Sequence, residues 1–147
     1  MKFNFRFEKL RKLKEIKEEE KQKEYFLHMQ MYSESMNKLL DLKHHRDEAI
    51  LRKKRIEKEG ARAADFDVIE RFLAGNKAQC IKVIGEIKER RKALELKKME
   101  LLEASKEKSI YDKLKENAFR AFRIDQEIKQ INAIDEIATS HFGRQSE

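Results

Sequence analysis

The sequence predicts an all-α fold: a long antiparallel two-helix coiled-coil hairpin, with its turn near 60–65 and the C-terminal helix overhanging the N-terminus. Three observations carry this. Of 147 residues, 43% are charged, against roughly 25% in an average soluble domain. Proline is absent and glycine occurs four times, so nothing forces a helix to stop and a fold of many short strands lacks its turn residues. Apolar residues recur at steps of three and four over most of the chain. Disorder is the rival reading of so much charge. However, 35 basic residues against 28 acidic ones nearly cancel, and nine phenylalanines with regular aliphatic spacing argue for packing.

The chain is expected to be one coiled-coil domain over 1–147. Helix one covers about 3–59, helix two about 66–138, and 139–147 is a frayed tail. Helix one opens with Phe3, Phe7, Leu10, Leu13 and Ile16, whose spacing places them on one helical face. A polar stretch follows from Lys17 to Glu24. The apolar seam resumes through Met29, Tyr32, Met36 and Leu39, and Ile50 and Ile56 carry it to Gly60. Gly60 suits a left-handed C-cap. Asp67 with Glu70 has the spacing of a capping box for helix two, and Asp65 is an alternative cap.

Helix two carries a long seam: Phe66, Ile69, Leu73, Asn76, Cys80, Val83, Ile87, Arg90, Leu94, Lys97 and Leu101. The phase of the apolar residues shifts between Ala104 and Ile110. A second run follows through Ile110, Leu114, Asn117, Ala121, Ile124, Ile128 and Ile131, continued by Ile134 and Ile137. Gly143 is expected to end any helix there.

Gly75-Asn76 offers a rival turn. Complementarity decides between the two. A turn near 62 sets Phe3 and Phe5 against Phe119 and Ala121, and the polar 17–24 against the mostly polar 100–107. A turn at 75 sets Phe3 to Phe7 against the polar tail. The turn near 62 leaves Ile124 to Ala138 as an overhang about 20 Å long at 1.5 Å per residue. Its isoleucines cannot be buried in the hairpin, and an exposed apolar stripe marks a partner site. Self-association or folding back is the bland alternative.

Several functional classes find no support. The four glycines are far apart, so no phosphate loop exists. His44 and His45 are adjacent and diverge by about 100° on a helix, so they cannot chelate one metal together. No metal or cofactor is expected. Cys80 sits in the seam as a small hydrophobe. Glu18-Glu19-Glu20 lie within reach of Lys17, Lys21 and Lys23 as ordinary helix-surface pairs. A hairpin offers no concave substrate pocket, so an enzyme is not expected.

Arg52-Lys53-Lys54-Arg55 is the densest basic run, but no aromatic residue interleaves with it, so base stacking has no platform and no specific nucleic acid is expected. A basic coiled coil that binds nucleic acid remains the alternative from another class. Residues 25–32 are apolar on more than one face, which suits an adaptable surface for helical partners as well as a core. Met1 to Arg6 has no apolar core of a signal peptide, and no stretch approaches a membrane span. With a single cysteine, this fits a cytoplasmic chain.

The opening Phe3-x-Phe5-Arg6-Phe7-x-Lys9-Leu10-x-x-Leu13-Lys14 resembles the start of the FliJ family of flagellar export proteins. So do the length, the tail element Asp135-Glu136-Ile137-Ala138, and the hairpin with Gly60, Phe66 and Phe72. The resemblance implies an antiparallel two-helix stalk similar to that of rotary ATPases. Its terminal end would enter the hexameric flagellar export ATPase and promote assembly of that ring. Phe3, Phe7, Leu10, Leu13, Ile124, Ile128, Ile131, Ile134 and Ile137 would dock there.

The hairpin side would contact the cytoplasmic part of an export-gate membrane protein through Leu42, His45, Ala49 and Phe72. His45 and Ala49 stand where relatives carry tyrosines, and Asn76 where they carry an apolar residue. Export chaperones are further implied partners, with a place at the cytoplasmic face of the cell membrane. The equivalent stalk of a virulence-type secretion system is the nearest alternative.

Overall fold

The structure, a computed structural model, describes residues 1–60 and 62–145. Two helices account for nearly all of them: α1, Glu8–Glu59, and α2, Ala63–Gln145. Among the described residues there is no strand. The chain forms an all-α helical hairpin, as the composition predicted.

Local chemistry explains the helix ends. Glu8 and Lys58 place an acid in the first turn of α1 and a base in its last, each favourable to the helix dipole. Gly60 takes a φ of 77°, and its N–H donates to the Ile56 carbonyl at 3.0 Å. This is the left-handed cap that glycine adopts without a Cβ clash. The expected turn includes Ala61, which lies outside the described residues.

Three expected boundaries differ. α2 begins at Ala63, so Asp65 and Asp67 lie inside it and neither is its cap. α1 begins at Glu8 rather than near residue 3, because Phe3 leaves the helix to pack against Phe119 and Phe122 of α2, and Phe5 beside it is buried. The expected frayed tail is helical through Gln145; Thr139 Oγ1 donates to the Asp135 carbonyl at 2.8 Å, four residues back. Gly143 does not stop α2, since a helix-interior glycine costs only about 1 kcal/mol. Ser146 and Glu147, the end of that tail, lie outside the described residues.

The chain divides into two compact units: a turn unit, Glu20–Leu102, and a terminal unit, Met1–Glu19 with Glu103–Glu147. In the turn unit the helices run antiparallel. Lys21 meets Glu100 at 3.2 Å, Arg90 meets the Met31 carbonyl at 2.5 Å, and Lys53 pairs with Glu70. On α2 the observed seam is the predicted one: Ile69, Asn76, Cys80, Val83 and Ile87 are buried, and Phe66, Leu73, Arg90, Leu94 and Leu101 are half-buried.

On α1 the turn-unit seam differs. His28 and Ser35 face α2, while Met29 and Met36 are exposed. Two polar cross-links favour this rotation. Arg90 Nη1 donates to Ser35 Oγ at 2.5 Å as well as to the Met31 carbonyl, and Asn76 Nδ2 donates to the Leu42 carbonyl at 2.8 Å. Asn76 is 4% exposed, so an unmade bond there would carry its full desolvation cost.

The terminal unit is also antiparallel, with the predicted register: Phe3 packs edge-on against Phe119, their ring centres 5.3 Å apart. Its seam is polar. Glu8, Arg11, Lys14 and Glu18, half-buried on α1 together with Glu15, lie opposite Lys115, Asp112, Glu107 and Lys108 of α2. The expected stripe of Phe7, Leu10, Leu13 and Ile16 is exposed instead.

On α2 of this unit, Ala104, Lys108, Tyr111, Lys115, Ala118 and Phe122 face inward, while Ile110 and Leu114 are exposed. Ala104 is only 3% exposed and sets the inward face. Ile110 lies six residues on, about 240° round the helix, so it must point elsewhere.

Candidate functional site

Two groups of residues with no partner helix over them form the candidate surfaces. The first is in the terminal unit. Phe3 sits between Phe119 and Phe122, at 5.3 and 5.5 Å between ring centres, and Phe5 is buried with its ring 5.9 Å from that of Phe7. The segment before α1 and the α2 residues Leu114, Ala118 and Phe122 enclose a shallow groove of about 620 Å³. The structure thus brings Phe3 and Phe7 together, on an aromatic cluster that the helical reading of 3–7 could not show. The register had already set Phe119 opposite Phe3; Phe122, three residues further along α2, was the missed member.

Leu10 and Leu13 lie apart from that cluster, exposed along α1. Ile124, Ile128, Ile131, Ile134 and Ile137 are exposed at 51–70% along α2. The steps from Ile128 are all of three residues. Each step turns the side chain back by about 60° on a 3.6-residue helix, so the row winds about half a turn by Ile137. The overhang therefore presents isoleucines on several sides rather than one flat face.

Ion pairs link the two helices of the terminal unit. Glu8 accepts from Arg11 Nη2 at 2.8 Å and meets Lys115 Nζ at 3.0 Å. Those hydrogen bonds, from Arg11 first and then Lys115, bring its carboxyl down to about 2. Lys14 donates to Glu107 at 2.9 Å and lowers the Glu107 carboxyl, with Lys17 3.6 Å away adding to it. In the turn unit, Glu24 and Glu100 are lowered likewise, first by hydrogen bonds from Lys97 and from Lys21 respectively.

The second surface is in the turn unit. His45, Ala49 and Phe72 line one groove of about 300 Å³, together with Glu48, Arg52, Val68 and Ile69. Leu42 is not part of that lining. It lies on the seam and offers its carbonyl to Asn76. Val68, exposed beside Phe72, was missed because it lies one residue off the apolar row. Arg52 belongs to the groove and Lys53 pairs with Glu70, so the basic run is divided between two tasks.

Cys80 is buried, its thiol 3.6 Å from Asn76 Oδ1. Among the described residues no cluster of three or more His, Cys, Asp or Glu is placed to hold a metal ion. No helix among them is long and apolar enough to cross a membrane.

An all-helical hairpin of two long helices with apolar surface exposed at several places belongs to the class of helical coiled-coil proteins. The chain matches the family model described as "Flagellar FliJ protein" over residues 2–147, so it belongs to the FliJ family. That membership makes it a component of the flagellar export apparatus, a structural part rather than an enzyme. No curated protein and no solved structure matches the chain.

Proposed function

We propose that the chain is a stalk that enters the hexameric flagellar export ATPase with its terminal unit and promotes assembly of that ring. The observation that supports this is the exposed, winding isoleucine row from Ile124 to Ile137. A helix that is apolar on several sides is one that is meant to be surrounded. Phe3, Phe7, Leu10 and Leu13 would add to that contact. The groove of His45, Ala49 and Phe72 would meet the export-gate membrane protein, with Leu42 holding the seam beneath it. Export chaperones complete the set of partners, and the working place is the cytoplasmic face of the cell membrane.

The test is the ATP hydrolysis rate and oligomeric state of the purified export ATPase with and without this chain. Stimulation together with hexamer formation is expected. The double substitution Ile128→Asp with Ile131→Asp should abolish both effects while helicity by circular dichroism stays nearly unchanged, because neither residue touches α1. Full stimulation by the double variant would remove the isoleucine row from the docking site.

A further inference from the structure

We infer that one flank of the turn unit is a docking site for a third helix, amphipathic and acidic along its polar edge. The residue following each seam residue lies about 100° round its helix, on one common flank of an antiparallel pair. On α1 these include Met29 after His28, Met36 after Ser35 and Leu40 after Leu39, all exposed. On α2 they include Ile81 after Cys80 and Ile84 after Val83, also exposed. Tyr32 and Arg91 join the two rows: Arg91 Nη2 donates to the Tyr32 hydroxyl at 3.3 Å across the pair. The rows therefore meet side by side.

The α2 row is also basic. Lys77, Lys88, Arg91 and Lys98 follow seam residues Asn76, Ile87, Arg90 and Lys97, with Glu95 as the acid among them. Lys77, Lys88 and Lys98 form no ion pair among the described residues. The opposite flank, formed by residues preceding the seam, is mixed in charge, with Glu34, Asp41, Glu86 and Glu89 beside Lys38, Arg52 and Lys82. The excess of one sign is therefore a property of the first flank, along its α2 row.

An occupant of the first flank must cover methionines and isoleucines and answer unpaired cations. Flexible methionines accept varied apolar side chains, and a helix laid along the groove offers anchors at three- and four-residue steps. A helix whose apolar face is bordered by glutamates meets both demands. The site lies within the turn unit and stands independently of the docking proposed for the isoleucine row.

The probe is a designed 20-residue fluorescent helical peptide with leucines at three- and four-residue steps, bordered by glutamates. Its twin carries lysines in their place. Anisotropy titration of the full chain should show the acidic peptide binding at least about tenfold tighter than its twin, with the difference shrinking at high salt. Two double variants change only exposed residues: Lys88→Glu with Arg91→Glu, and Met29→Ser with Met36→Ser. Each should weaken the acidic peptide at least about tenfold. Equal binding of the two peptides, or variants that bind like the parent, would overturn the site. So would size-exclusion chromatography showing a dimer that the methionine variant dissolves, since a second copy would then be the occupant.

Discussion

The turn unit and the terminal unit are built from the same two helices and hold together differently. In the turn unit, Val83, 2% exposed, with Ile69, Cys80 and Ile87, makes an apolar seam fastened by Arg90 and Asn76. In the terminal unit the inward positions of α1 are charged, among them Glu8, Arg11, Lys14 and Glu18, and its apolar Leu10, Leu13 and Ile16 are exposed. Apolar surface therefore serves different ends in the two units. In one unit it pays the cost of ordering the chain; in the other it is left for something outside the hairpin.

The contrast can be broken at its strongest point first. Ile87→Ala should cost about 2–4 kcal/mol in urea denaturation, through lost transfer energy and a residual cavity. Leu13→Ala, a truncation of equal kind in the terminal unit, should stay within about 0.5 kcal/mol because its side chain is 59% exposed. A comparable loss from both would mean that the terminal stripe is buried in solution.

Acid should separate the two units next. Glu8 has a lowered carboxyl in the folded chain, near 2 against an ordinary 4.5, and Glu107 is lowered in the same direction. A group lowered on folding stabilises above its unfolded value and loses that effect as pH falls toward its folded value. Contacts between 8–18 and 107–115 should thus loosen as pH drops from about 4.5 to about 2, and also in high salt. Hydrogen exchange should show that segment opening before the amides around Val83. Simultaneous opening would show that ion pairs do not carry the terminal unit. These exposed pairs are individually weak, so the effect rests on their number.

The smallest expected change is a gain. Gly75 lies inside α2, and a Cβ there would have no neighbour within 4 Å. Gly75→Ala should therefore raise stability by about 1 kcal/mol, read as a higher urea midpoint at unchanged m-value. A loss would locate a contact at Gly75 that only glycine permits.

Much of this was legible beforehand. The α2 seam from Phe66 to Leu101 follows steps of three and four without interruption, and its apolar members have one face to offer. Gly60 announced the turn, since a left-handed cap needs a residue without a Cβ. Of the site residues, His45, Ala49 and Phe72 meet in one groove because they border the seam on one side. Phe7, Leu10 and Leu13 misled, for their spacing shows that a stripe exists and not what it faces. Met29 and Met36 misled in the same way, since His28 and Ser35 look like poor seam residues until Arg90 reaches across.

By itself, then, the sequence determined that there are two helices, where they turn and in what register they pair. These follow from backbone chemistry and from periodicity, which are properties of single segments and of their order. Only the tertiary structure decided which face of each helix meets the other, that Phe3 stays outside the helix to pack on Phe119 and Phe122, and that α2 continues to Gln145. Those choices depend on energies shared between distant residues. A charged face that finds its complement across the pair can take the seam and turn the apolar face outward.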